Sequence, residues 1–256
     1  MRVLILIACL LCLPALAAEP LRIATFPNYP PMTYRDPATS QRMGFDIDMG
    51  EAIAKTLGTT VDWQEMAFVQ FIPALTTGRI VMALDGIGDI PSRRDMVDFV
   101  DYFRTGAIFF TLSASPAKTV ADLCGLKVGA SRSTTWPADI KAWSDRNCGA
   151  KPLEIIGTEG SIDTRIQLRT GRLDVGVQGS ETIGWLQQTD PGLFRPIGTA
   201  FTEVIGGIPM PKTEPALRDA VRGAVQKLMD DGTYKALLAK WHLEDNAIPK
   251  ATINGQ

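Results

Sequence analysis

Cysteine and histidine are scarce: the 256 residues hold four cysteines and one histidine. Two of the cysteines, Cys9 and Cys12, fall in the first apolar stretch, leaving Cys124, Cys148 and His242. Two cysteines and one distant histidine do not make a zinc site, which needs about four converging nitrogen or sulfur ligands, and no other cofactor is implied. No cysteine nucleophile, histidine base or carboxylate pair stands at a spacing that suggests catalysis. Clusters of positive charge are missing too. Twenty-six basic residues face 28 acidic ones for a net charge of −2, which argues against nucleic acid as a partner. Beyond the N-terminus no segment approaches the roughly 18 unbroken apolar residues that span a bilayer, and no segment is of low complexity.

What is present begins with MRVLILIACLLCLPALAA, residues 1–18: one basic residue, an apolar run and a small-residue end, the form of a secretory signal peptide. Cleavage is expected after Ala17 or Ala18, with export of the mature chain. Leu6-Ile7-Ala8-Cys9 faintly matches a lipoprotein box, but cutting there would leave the very apolar segment Leu10 to Ala18 on the product. Taking Arg2 from the 26 basic residues leaves 25 against 28 acidic, a mature charge near −3. In an oxidising compartment Cys124 and Cys148 are expected to form a disulfide. It would close a loop of about 25 residues, worth roughly 3 kcal/mol in the chain-entropy description.

A phrase recurs: LTTGRIVMALDG at 75–86 and LRTGRLDVGVQG at 168–179. In each, an apolar helical end stops at a Gly suited to the position just past a helix, and a short aliphatic run then reads as a buried strand ending at another Gly, Gly86 or Gly179. Around the first copy, the strand Leu21 to Thr25, a helix from Gly44-Phe45-Asp46 to Gly58, the strand at Val61 and Trp63 and a helix from Phe68 to Thr77 give βαβαβ. Around the second, the strand Lys127 to Ser131, a helix from Thr134 to Trp143, the strand Glu154 to Gly157 and a helix from Ser161 to Thr170 repeat that order. Such alternation predicts parallel sheets covered by helices, with a ligand crevice beyond the carboxyl ends of the strands. Helices are also expected over Pro215 to Met229 and Tyr234 to Trp241, with a polar surface tail from Ala247.

The words TFPNYPPMTY, GFDIDMGEAIAKTLG, FIPALTTGRI, IPSRRDMVDFVDYF, ADLCGLKVGAS, TGRLDVGV and DDGTYKALLAKW, in this order and spacing, resemble the periplasmic solute-binding proteins of polar amino acid ABC importers (family 3). The resemblance runs from Leu21 to about Leu243. It implies the α/β type II periplasmic binding protein fold: two lobes, each a mostly parallel sheet flanked by helices, joined by a two-strand hinge. Residues 19–107 and 206–256 would form lobe 1 and residues 112–201 lobe 2, with hinge strands near 106–113 and 202–208. Such a hinge closes on a small-molecule ligand. The expected partners are that ligand and an ABC permease in the inner membrane, with the chain itself a monomer.

Site residues emerge from local chemistry and from the resemblance together. Arg93, just beyond a strand end, suits bidentate capture of a carboxylate; its neighbour Arg94 is read as a solvated charge or a salt-bridge partner. Tyr29 and Phe68 match two aromatic positions that sandwich a ligand side chain in relatives, although core packing is the ordinary role of a Phe. Ser131, Ser133, Thr134 and Thr135 lie between a strand and a helix whose N-terminus favours an anion, and Thr134 matches the family's hydroxyl partner of the ligand carboxylate; a plain helix cap is the alternative. Gly86 and Gly88 belong to the first strand end, and Gly88 stands where many relatives carry a hydroxyl. Gly179 stands where amino-acid binders place an Asp for the ligand ammonium. A buried ammonium without a counter-charge is costly, so either another acid substitutes, with Asp85, Asp89 and Glu181 as candidates, or the ligand lacks an α-amine.

The resulting expectation is capture of an amino acid or related carboxylate-bearing solute for an ABC importer, not an enzyme. The rivals are an enzyme on the same scaffold, similar to cyclohexadienyl dehydratases with Glu181 as a general acid, and a sensor subunit for a membrane partner.

Overall fold

A computed structural model describes residues 19–256; the signal sequence expected over residues 1–18, with Cys9 and Cys12, lies outside the described residues. The chain folds into two α/β lobes. In chain order the first contains β1 (Leu21–Thr25), β2 (Asn28–Tyr29), β3 (Thr33–Arg35), β4 (Arg42–Met43), α1 (Phe45–Thr56), β5 (Val61–Glu65), α2 (Phe71–Thr76), β6 (Met82–Ala83), α3 (Pro91–Arg94) and β7 (Val97–Thr105). The second contains β8 (Ala107–Leu112), β9 (Lys127–Ser131), α4 (Trp136–Asn147), β10 (Glu154–Thr158), α5 (Ser161–Arg169), β11 (Val175–Gly179), α6 (Glu181–Thr189) and β12 (Phe194–Ile197). The chain then returns through β13 (Val204–Pro211), α7 (Pro215–Asp230), α8 (Thr233–Trp241) and β14 (Thr252–Ile253) to pack on the first lobe.

The recurring phrase is a helix stop used twice. In the first copy Gly78 at φ +70° donates to Leu75 O and Arg79 donates to Ala74 O; in the second Gly171 at φ +69° donates to Leu168 O and Arg172 to Gln167 O. Both are the paired bonds that close a helix when the residue past the cap is left-handed, and Gly takes that conformation without steric cost. The strands after these stops also occupy equivalent places. The parallel strand order is β5-β1-β6 in one lobe and β10-β9-β11 in the other, with the first strand of each unit at the centre. In the second lobe β8 and β12 extend the sheet antiparallel.

Several helix boundaries differ from expectation: α4 runs four residues past Trp143 to Asn147, and α6 is a helix that the sequence pattern did not predict. The helix read over Phe68 to Thr77 is a short 3₁₀ turn, Phe68–Gln70, followed by α2. The Gln70 side chain accepts from Ala67 N at 3.0 Å and stabilises that separate first turn, while Pro73 falls in the first turn of α2, where its missing N–H is not needed. The helix expected from Thr134 starts at Trp136, with Pro137 in its first turn.

The extended run expected at 106–113 divides at Gly106. Residues 97–105 pair antiparallel with β13 and belong to the first lobe; residues 107–112 pair with β11 and β12 in the second. A Cβ at 106 would overlap the Thr202 carbonyl, so the two connections between the lobes, Gly106 and residues 198–203, touch backbone to backbone. The tail is not merely a surface wrap: β14 pairs with β7, and Asp101 accepts from the Thr252 hydroxyl at 2.6 Å and Gly255 N at 2.8 Å. Cys124 and Cys148 are bonded, with Cα atoms 5.2 Å apart, beside the second-lobe core of Val128, Ile140, Trp143 and Val177.

Candidate functional site

A cavity of about 830 Å³, counting its open mouth, lies between the lobes and is lined by both. Its walls are the segments that succeed the carboxyl ends of the parallel strands. From the first lobe come Phe26, Asn28 and Tyr29 after β1, Phe68 after β5, and Asp85, Gly86 and Gly88 after β6. From the second come Ser133, Thr134 and Thr135 after β9, Glu159 to Ser161 after β10, and Glu181 after β11. Two equivalent βαβαβ units face each other strand end to strand end, so peptide N–H groups and loop side chains point at the same space.

Arg93 enters from α3. Its Nη1 donates to Gly88 O at 2.8 Å, and its guanidinium carbon sits 5.4 Å from the centre of the Phe68 ring. Burial pulls its pKa below the usual arginine value, with Asp89 opposing that shift. Arg94, one residue on, points away and binds Asp89 through Nε at 2.5 Å and Nη2 at 2.9 Å. Asp89, with a fully buried side chain, is therefore spoken for and does not line the cavity.

Opposite, the Tyr29 ring packs on Gly86 (a Cβ there would stand 2.7 Å from Cε1) and lies 6.0 Å from the Trp136 ring across the cleft. Gly86 donates its N–H to Asp46 Oδ2 at 2.6 Å, and Tyr102 donates to Asp46 Oδ1 at 2.5 Å. Asp46 is wholly buried, and burial raises its pKa to about 7. Asp85 accepts from Thr33 Oγ1 at 2.6 Å and Phe26 N at 3.2 Å, and burial raises its carboxyl well above the ordinary range.

In the second lobe the Ser131 and Ser133 hydroxyls are 3.0 Å apart. Thr134 Oγ1 donates to Ser131 O at 2.8 Å and accepts from Trp136 N at 3.3 Å, so its hydroxyl ties the turn before α4 while bordering the cavity. Glu181 opens α6, and its carboxylate accepts hydrogen bonds from the hydroxyls of Tyr29 in the first lobe and Thr105 at the end of β7. Burial raises its pKa.

Among the residues named from sequence, Tyr29, Phe68, Gly86, Gly88, Arg93, Ser131, Ser133, Thr134, Thr135, Asp85 and Glu181 border this one cavity; Gly179 and Asp89 do not. Gly179 stands behind the wall because the Glu181 carboxylate and the Tyr29 hydroxyl fill the space that a side chain at 179 would take. Sequence reasoning missed Trp136, Asp139 and Ser161. Ser161 starts α5 directly after a strand, as the 131–135 segment precedes α4, and inspecting the residues past each strand of the second unit would have found it. Its Oγ is buried without a hydrogen-bond partner.

The sequence profile of bacterial extracellular solute-binding proteins, family 3, matches residues 21–244. The chain is 27% identical over 236 residues to the arginine-binding protein ArgT of Corynebacterium glutamicum, covering 90% of this chain and 76% of that one. It is 31% identical to the L-arginine-binding protein of Pseudomonas aeruginosa, covering 90% and 91%. Among solved structures, an ancestral arginine-binding protein bound to arginine superposes with a TM-score of 0.77 at 28% identity, covering 88% of this chain and 99% of the other.

Proposed function

Because the chain belongs to the bacterial extracellular solute-binding proteins, family 3, we propose that it captures an α-amino acid between its lobes and presents it to the permease of an ABC importer. The placement of Arg93 carries this reading. Among the described residues it is the one cation lining the cavity, and its guanidinium makes one hydrogen bond to protein, to the Gly88 carbonyl. A guanidinium has five N–H donors, so an incoming carboxylate meets a fork suited to bidentate binding. Ser131, Thr134, Thr135 and the unpartnered Ser161 hydroxyl approach the same space from the other lobe and complete the polar grip.

The side-chain end of the solute is proposed to be cationic. Asp139 borders the cavity with Tyr29, Phe68 and Trp136, whereas Glu159, also on the wall, is already paired with Arg132 Nη1 at 2.7 Å. Acidic groups and aromatic faces favour a cation, which agrees with relatives named for arginine. Binding closes the hinge because the closed form alone lets both lobes touch the solute, and that difference shifts the population. Residues 19–105 with 204–256 move as one body against 107–197. The leader, cut near Ala17 or Ala18, delivers a monomer to the periplasm.

Calorimetry of the purified mature protein against L-arginine, L-lysine, L-histidine, L-glutamine, L-glutamate, opines and dicarboxylates tests the reading. A cationic L-amino acid is expected to bind most tightly. At 100 times its dissociation constant it should add about 2.7 kcal/mol of stability. If no amino acid binds, the reading fails.

A further inference from the structure

We infer that Glu181 is the counter-charge of the solute's α-ammonium and that Gly179 is glycine because this carboxylate needs its space. The inference rests on amino-acid capture in the cavity. Three observations meet at Glu181. The residue is 2% exposed and borders the cavity. Its two carboxylate oxygens each take one hydroxyl hydrogen bond, from Tyr29 and Thr105, and among the described residues it forms no ion pair. A carboxylate has about four acceptor positions, so capacity remains for N–H donors from the cavity side.

The backbone explains how a residue two places past the strand end does this work. β11 ends at Gly179 and α6 begins at Glu181, so the first helical residue turns its side chain back over the strand end. A Cβ built on Gly179 overlaps both Glu181 oxygens and the Tyr29 hydroxyl. An acid at 179 and the present position of Glu181 are therefore mutually exclusive. Tyr29 and Thr105 fix its direction, one from the first lobe across the cleft and one from the strand leading into the hinge, beside the Ser180 N–Gly106 O bond.

Burial of a carboxylate with no cation is unfavourable, and the raised pKa of Glu181 reports that same cost. An ammonium arriving with the solute would relieve it. The cavity then holds two separated charges, Arg93 from the first lobe for the carboxylate and Glu181 from the second for the amine. This pairing selects α-amino acids over simple carboxylates.

The test is a calorimetric cycle with L-arginine and its des-amino counterpart, 5-guanidinopentanoic acid, on the mature protein, Glu181→Gln, Gly179→Asp and the double variant Gly179→Asp/Glu181→Ala. Wild type is expected to favour L-arginine over the des-amino probe by at least tenfold. Glu181→Gln, which keeps the shape and one acceptor oxygen while the other hydroxyl turns to accept from the new amide N–H, should lose at least tenfold for L-arginine while changing the des-amino probe by less than twofold. Gly179→Asp alone should weaken L-arginine at least tenfold through steric conflict, and the double variant should recover it to within a few fold. A merely structural role for Glu181 would weaken both probes alike, and that outcome overturns the inference, as does Glu181→Gln binding L-arginine within twofold of wild type. If wild type binds neither probe, the same cycle is run with the tightest-binding amino acid of the calorimetric panel and its des-amino counterpart; if no amino acid of the panel binds, the functional reading falls and takes this inference with it, an outcome distinct from the other two.

Discussion

Arg94 Nε stands 2.5 Å from Asp89 Oδ1 in a two-bond pair, and this pair divides the labour of two adjacent arginines. Arg94 neutralises a buried acid at the base of the hinge strands, where Asp89 N also donates to Ile205 O at 2.8 Å. Arg93 is thereby left to face the cavity with Gly88 O as its protein acceptor.

The two residues should respond in opposite ways. Arg94→Ala leaves the buried Asp89 carboxylate without its donors and is expected to lower unfolding stability by about 2 kcal/mol, with solute affinity changed far less. Arg93→Ala removes a partly desolvated cation, should leave stability nearly unchanged, and should weaken binding of L-arginine at least tenfold, about 1.4 kcal/mol. Denaturant titration and calorimetry on both variants check the contrast. Equal effects on both readouts would refute the division.

Asp46 links the first-lobe core to the cavity wall through Gly86 N. An unfolded Asp releases its proton near pH 4, whereas the folded carboxyl holds it to about 7, chiefly through burial. Between these values the folded state carries the extra proton, so this residue makes stability fall as pH rises from about 4 to about 7 and levels off above. Asp46→Asn can still accept from Gly86 N through its carbonyl. It is expected to flatten that decline by on the order of 4 kcal/mol across the window, measured as the difference between variant and wild-type unfolding curves from pH 4 to pH 7. Taking the difference cancels Asp101, whose pKa shifts in the same direction, while Asp85 and Glu181 interact with the Asp46 charge and contribute to the difference through that coupling.

What could be read without coordinates was the part written locally. The Thr-Gly-Arg stops at 77–79 and 170–172 need only a left-handed glycine and two bonds within six residues, so their pattern survives as sequence. The strand ends after them placed Gly86, Gly88 and Arg93 at the cavity for the same reason. Long-range geometry was not legible. Nothing near Glu181 announces that its carboxylate would meet a tyrosine 152 positions away, or that Gly179 would be empty for its sake. Trp136 and Asp139 were missed because α4 begins two residues late, behind the Thr134 turn. Asp89 looked available until its neighbour's side chain was seen to turn towards it.

The disulfide lies in the second lobe, away from the cavity lining. Replacing Cys124 and Cys148 together by serine reopens a loop of about 25 residues and should lower unfolding stability by roughly 3 kcal/mol. The solute affinity of the folded fraction should stay within a few fold, because the β9 strand end is held by its ladder to β10 and the β11 end by its ladder to β8. Denaturant unfolding of the double serine variant, with calorimetry below its transition, distinguishes this from a disulfide that shapes the site; a tenfold loss of affinity would favour the latter.

Gly106 is the single residue between β7 and β8, and its Cα faces the other connection: a Cβ there would overlap the Thr202 carbonyl and stand 2.9 Å from the Ala200 Cβ. Ala107 N also donates to Thr202 Oγ1 at 2.7 Å, tying the two connections together at this point. Gly106→Ala should therefore force the connections apart while leaving each lobe's core intact, since neither core cluster of the second lobe includes position 106. The lobes would splay, Tyr29 would separate from Glu181 and Trp136, and L-arginine should bind at least tenfold more weakly. Small-angle scattering should report a larger radius for the variant than for wild type under saturating L-arginine. An unchanged radius with unchanged affinity would mean that the connections tolerate the methyl group and that closure does not depend on their contact.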